Sequence, residues 1–231
     1  PTCTLGELIH NRQVVEELAG QGVTVIERPE DAPAGTAVVI RSHGVGPQVY
    51  DTLRAQGSPV IDATCPFVKR IHQIAAEVPE NGLLLLAGRR EHPEVQGILG
   101  YCRGQALVFS SAEEMQELLA FLPSDGNIPV ILAAQTTFSL REWEKILFFA
   151  KKVCTNCEIF DTICRATEMR QEEAAFLSKS CDAMVVVGDA RSSNTGRLAM
   201  ICKENCPKVV LVDHADELDM TFFHGAATVG I

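Results

Sequence analysis

The sequence predicts an α/β fold built from parallel sheets, and three observations predict it. Short runs rich in Val, Ile and Leu recur along the chain. Amphipathic segments of helical length separate them. Residues capable of chemistry follow directly on the strand candidates. Strands that read as unbroken apolar runs and alternate with helices belong to parallel sheets made of βα units.

Taken in order, residues 11–19 form the first predicted helix and residues 23–26 a strand. A strand at 37–40 ends at Arg41-Ser42-His43-Gly44 and is followed by a helix at 47–55 that opens with proline. A strand at 60–61 runs into Asp62-Ala63-Thr64-Cys65-Pro66 and a helix at 66–77. The strand at 83–87 leads to His92-Pro93-Glu94, read as a turn fixed by its proline. Residues 106–109 form a strand, 113–121 a helix, and 129–133 a strand leading to Gln135-Thr136-Thr137. A helix at 140–152 precedes Ile159-Phe160, which leads to Asp161-Thr162-Ile163-Cys164 and a helix at 166–180. The strand at 184–187 leads to Ser192-Ser193-Asn194, with a helix at 194–204 and a last strand at 209–212. In open parallel sheets ligands bind at the carboxyl ends of strands. So many loaded strand ends point to one site into which several of them converge.

At 231 residues the chain suits one large domain or two to three small ones, and its 46% hydrophobic and 22% charged residues are ordinary for a globular protein. A net charge of −10 argues against a nucleic-acid partner but not against a small anion held by a few local groups. No apolar run approaches the ~20 residues that span a bilayer, and no export signal opens the chain. It begins Pro1-Thr2-Cys3 without a methionine and is therefore expected to be part of a longer chain. Nine cysteines at irregular spacings do not form the framework of a small secreted domain. Most read as buried small hydrophobes.

Two cysteines stand apart. Asp62-x-x-Cys65 and Asp161-x-x-Cys164 each follow a strand and open a helix, where the helix dipole favours the thiolate that binds metal. The plainer reading is that the aspartates cap turns and the thiols pack inside. His43 reads either as a structural histidine or as a ligand at a strand end, and His10 at a helix start is equally open. His72 lies in a helix as a surface or core residue, and His214 and His224 are structural. His92 and Glu94 form a pair able to move protons, with Glu94 as acid and His92 holding an anion; the alternative is a solvated loop. Ser192-Ser193-Asn194-Thr195 is a capping segment or an anion site. Cys154-x-x-Cys157 and Cys202-x-x-x-Cys206 are simple dithiols rather than a zinc site. No Gly-rich nucleotide fingerprint is present.

In order along the chain, these motifs resemble one family. His10-Asn11-Arg12, Ser42-His43-Gly44-Val45, Asp62-Ala63-Thr64-Cys65-Pro66, His92-Pro93-Glu94-Val95-x-Gly97, Gln135-Thr136-Thr137, Asp161-Thr162-Ile163-Cys164 and Ser192-Ser193-Asn194-Thr195-x-Arg197 match the pattern of the LytB (IspH) reductases. The resemblance covers essentially the whole sequence. It implies three pseudo-symmetric lobes of parallel sheet flanked by helices around a central site, with lobes at 1–65, 66–163 and 164–231. It further implies a 4Fe–4S cluster held in part by Cys65 and Cys164, with Glu94 as proton donor and Thr136 relaying or positioning that proton. His10, His43, His92, Thr136, Ser192, Ser193 and Asn194 would contact the diphosphate substrate. The implied reaction is reductive dehydroxylation of 4-hydroxy-3-methylbut-2-enyl diphosphate to isopentenyl and dimethylallyl diphosphates, in a bacterial cytoplasm, with ferredoxin or flavodoxin as electron donor. The family's third cluster cysteine and a C-terminal serine segment have no counterpart in this sequence, and Cys3 is not at a ligand position. Two alternatives are a cluster-less shell that only binds diphosphates and a three-lobed iron–sulfur enzyme of the quinolinate-synthase kind.

Overall fold

The computed structural model describes residues 1–120, 128–154 and 156–231, which form three separate parallel sheets. The chain divides into two compact units, one of Pro1–Ile9 and Gln13–Ile163, the other of His10–Arg12 and Cys164–Ile231.

The first unit holds two sheets. Strands β1 (Thr2–Leu5), β2 (Val23–Ile26), β3 (Ala37–Ile40) and β4 (Val60–Asp62) lie in the order β2-β1-β3-β4, with helices α1 (Arg12–Gly20) and α2 (Pro47–Ala55) as crossovers. Helix α3 (Pro66–Glu77) leads to β5 (Leu83–Ala87), β6 (Gln105–Phe109), β7 (Val130–Ala134) and β8 (Cys157–Ile159), ordered β6-β5-β7-β8. Their connecting helices are α4 (Pro93–Tyr101), α5 (Ala112–Ala120) and α6 (Leu140–Val153).

The apolar run of β5 has a direct cause. Successive side chains of a strand point to opposite faces. Leu84 and Leu86 pack on Ile71 and Ile74 of α3 and on Val95 and Ile98 of α4. Leu83, Leu85 and Ala87 face the other way, onto Met115, Trp143, Ile146 and Ala150. Both faces are covered, so every position must be apolar, and each one is buried.

The second unit contains α7 (Arg165–Ser180), β9 (Ala183–Val187), α8 (Ser193–Asn205), β10 (Val209–Val212) and β11 (Val229–Gly230), in the sheet order β10-β9-β11. Met184 and Val186 pack there against Ala199, Cys202 and Cys206.

Three differences from the sequence expectations have physical reasons. β1 lies inside its sheet although two of its four residues are threonines; Cys3 and Leu5 bury its inner face. The segment after His92 is not a turn but a helix, because proline is well suited to a first helical turn. The helix expected at 113–121 runs Ala112–Ala120, and position 121 lies outside the described residues.

Candidate active site

In both sheets of the first unit the first and third strands are neighbours, so the strand order reverses between them. The crevice outside the carboxyl ends at such a reversal is where α/β sheets bind ligands. The loops after β5 and β7 meet there.

His92 ends the loop after β5 and N-caps α4, its Nδ1 accepting from the Glu94 amide at 3.2 Å. Accepting at Nδ1 leaves the neutral ring's proton on Nε2. Glu94, in the first turn of α4, is only 2% exposed. Its Oε1 accepts from the Thr136 amide at 2.6 Å and its Oε2 from the Thr136 hydroxyl at 2.8 Å. Burial pushes the Glu94 carboxyl up to about 7, and the two bonds from Thr136 only partly oppose this.

Sequence reasoning gave no role to Gln135, yet this residue braces the arrangement. Its Oε1 accepts from the Arg89 amide at 3.2 Å, and its Nε2 donates to the Thr137 hydroxyl at 3.0 Å. The loop carrying Thr136 is thus tied to the loop that precedes His92. The signals were a large polar residue directly after a buried strand and its place in the Gln135-Thr136-Thr137 motif.

His43 follows β3, and its ring meets that of His92 edge to face, with centroids 5.3 Å apart and planes at 82°. Gly44 behind it has φ +70°, a conformation that favours glycine. The Cys65 amide donates to the Ser42 carbonyl at 3.0 Å, which joins the cysteine loop to the histidine loop. Asp62 caps that loop as the plainer reading had it. Its Oδ1 accepts from the Thr64 amide at 3.0 Å, and its Oδ2 pairs with Lys69 at 2.8 Å. The Cys65 thiol is half-buried and free, and it makes no cap bond to α3. His43, His92, Glu94, Thr136 and Cys65 therefore belong to one unit.

His10, Ser192, Ser193, Asn194 and Cys164 belong to the other. Ser192 N-caps α8, its hydroxyl accepting from the Thr195 amide at 3.4 Å, so one serine does serve as a cap. Asn194 keeps a buried Oδ1 with no hydrogen-bond partner, an acceptor that a ligand's hydroxyl would satisfy. Gly188 before this loop has φ +145°, and a Cβ there would come 2.7 Å from the Thr195 hydroxyl. Arg191 holds the Asp189 carboxyl below the usual range, and His10 adds a smaller favourable field. Cys164 N-caps α7, half-buried and free, without a side-chain cap bond.

The remaining cysteines behave as packing residues. Cys3 is buried in β1, and burial raises its thiol. Burial pushes the Cys157 thiol up to about 12, with Cys154 adding to the effect. Cys206 donates to the carbonyls of Cys181 and Lys208. Among the described residues none of these joins a set of three metal-ligating side chains.

The LytB protein family model matches residues 2–231. A 4-hydroxy-3-methylbut-2-enyl diphosphate reductase of Caldanaerobacter subterraneus subsp. tengcongensis is 39% identical over 231 residues, covering 99% of this chain and 78% of the relative. The solved E-1-hydroxy-2-methyl-but-2-enyl-4-diphosphate reductase of Plasmodium falciparum matches with a TM-score of 0.90 at 25% identity, over 99% of this chain and 71% of that one. A second solved structure, of an (E)-4-hydroxy-3-methyl-but-2-enyl diphosphate reductase, matches with a TM-score of 0.66 at 36% identity, over 100% of this chain and 81% of that one.

Proposed function

Because the chain belongs to the LytB protein family, we propose that it reduces 4-hydroxy-3-methylbut-2-enyl diphosphate to isopentenyl and dimethylallyl diphosphates. The reaction consumes two electrons and two protons: the C–O bond to the terminal hydroxyl breaks, water leaves, and a proton is delivered to carbon. The observation that carries the reading is the buried Glu94–Thr136 pair beside His92 and His43.

Cys65 and Cys164 fit a cluster's needs, since each is a soft, free thiol at a helix N-terminus that its own helix does not use. They would hold two irons of a 4Fe–4S cluster. When bound, the cluster supplies the electrons and a Lewis-acidic iron for the substrate oxygen. Ferredoxin or flavodoxin fits the role of reductant, and a bacterial cytoplasm fits as the setting. No described helix is long and apolar enough to cross a membrane.

The chain's own residues handle charge and protons. His92 offers Nε2–H to an anionic oxygen, and His43 lies beside it for the same purpose. His10, Ser192, Ser193 and Asn194 serve as further diphosphate and substrate contacts. Glu94 is poised near neutrality by burial: ionised, its Oε2 accepts from the Thr136 hydroxyl, and once Oε2 is protonated the same contact reverses, with Glu94 donating to Thr136 Oγ1. As that proton moves onto Thr136, the threonine hydroxyl turns its own proton toward the leaving oxygen. Glu94→Gln keeps the shape and one set of hydrogen bonds but cannot deliver a proton. The expected outcome is an intact cluster spectrum with turnover lowered ~10²–10⁴-fold. Near-normal turnover would remove Glu94 from this role.

A further inference from the structure

We infer that His72, through the shape of its buried ring and not through its nitrogens, positions the two loops that carry His43 and Glu94. The inference rests on the proposed roles of those two residues.

His72 lies in α3 and is 5% exposed. Its ring stacks on Tyr101, at the end of α4, with centroids 4.4 Å apart and planes at 20°. The Cε1–Nε2 edge of the ring is pressed against two glycines. A Cβ on Gly44 would come 2.5 Å from Cε1 and 3.1 Å from Nε2, and a Cβ on Gly97 would come 3.3 Å from Nε2. Gly44 follows His43 directly, and Gly97 lies one helical turn beyond Glu94. The next layer repeats the pattern, since a Cβ on Gly100 would meet the Gly46 Cα at 2.8 Å. The Gly44–Gly46 loop therefore rests on the Gly97–Gly100 face of α4 at backbone distance, and His72 closes one side of the contact.

The Nε2 edge of the ring makes no hydrogen bond here, and burial pushes the imidazole down to about 4, so it is neutral at physiological pH. A buried histidine that neither bonds through Nε2 nor titrates there acts by volume. On its outer side it borders a cleft of about 450 Å³, which Tyr50, Lys69 and Tyr101 also line. That opening gives solutes access to any hole left by removing the ring.

The test uses the reconstituted enzyme. His72→Ala is expected to lower kcat/KM by ~10–100-fold, with KM raised through His43 and kcat lowered through Glu94. His72→Phe, which keeps a neutral ring, should recover most of the loss. Imidazole and pyrazole, both added to the alanine variant at neutral pH, should each restore part of the activity by filling the hole. Unchanged kinetics in His72→Ala would overturn the inference. So would a phenylalanine variant as impaired as the alanine one together with rescue by imidazole alone, because the nitrogens would then be what matters. If the alanine variant does not fold, Gly97→Ala, which crowds the ring from the other side, must show the same two-sided kinetic loss or the inference fails. Glu94→Gln alone tests the proton-donor reading. A normal Glu94→Gln beside a ring-rescued His72→Ala sinks that reading and leaves the positioning role acting through His43. Should the wild type reduce no substrate, the affinity for isopentenyl diphosphate reads the same variants.

Discussion

At the scale of single residues, Glu94 and His72 are buried groups whose shifts have opposite consequences. Glu94 is raised from 4.5 to about 7, so in that window the folded chain holds a proton that the unfolded chain has lost. Its contribution is fully present below pH 4.5 and is lost as pH rises through about 7. His72 is lowered from 6.5 to about 4, so the unfolded chain holds the extra proton. Its contribution is present above pH 6.5 and is lost as pH falls through about 4. The two slopes oppose each other between pH 4.5 and 6.5, which flattens the wild-type response from this pair. Substitution should expose each slope separately. Thermal melts of His72→Phe should lose stability as pH rises from 4.5 to 7, whereas melts of Glu94→Gln should gain stability as pH rises from 4 to 6.5. Parallel profiles for the two variants would refute both assignments. The same Glu94 proton predicts that kcat falls as pH rises through about 7, since the donor must be protonated to act. Glu94 was legible as an acid from His92-Pro93-Glu94. Its burial was not, because nothing local shows that Thr136, forty-two positions later, closes over it.

At the scale of elements, α4 shows what sequence reading could not see. The segment after His92 reads as a turn from its proline alone, and its helix also carries Gly97 and Gly100, although glycine weakens a helix interior by ~1 kcal/mol relative to alanine. The glycines are there because α4 must approach the Gly44–Gly46 loop at backbone distance. Ordinary propensity therefore predicts that Gly100→Ala stabilises α4, whereas packing predicts the reverse. The Gly46 backbone cannot yield as a flexible side chain would, so the variant should melt lower than wild type and bind isopentenyl diphosphate more weakly. Calorimetry and a thermal melt decide between the two, and a higher melting temperature with unchanged affinity would contradict the packing account. β5 is the opposite case. Its unbroken apolar run, set between helices, argues for a parallel-sheet strand, and the structure covers that strand on both faces. Leu85→Ala should accordingly cost ~2–5 kcal/mol in denaturant unfolding, as a cavity in a fully buried layer does.

At the scale of the whole molecule, the sheets repeat one plan: β2-β1-β3-β4, then β6-β5-β7-β8, then β10-β9-β11. The residues singled out from sequence fall at equivalent points of that plan. His10 follows β1, His92 and Glu94 follow β5, and Ser192 to Asn194 follow β9, the first strand of each sheet. His43 and Thr136 follow the third strands β3 and β7, while Cys65 and Cys164 follow the fourth strands β4 and β8. The weak echo of Asp-x-x-Cys was thus the local trace of a repeated topology. It was legible because each motif sits within a few residues of its strand, whereas strand order depends on pairings between distant segments. The equivalence separates these two thiols from Cys154, which ends α6 and follows no strand. Anaerobic reconstitution tests whether this separation is functional. The prediction is that Cys65→Ser and Cys164→Ser each abolish the cluster's visible absorbance and most of the bound iron, whereas Cys154→Ser retains both. A wild-type spectrum in either of the first two variants would remove that thiol from the ligand set. Loss of iron in Cys154→Ser would show that position in the repeated plan does not decide which cysteines bind metal.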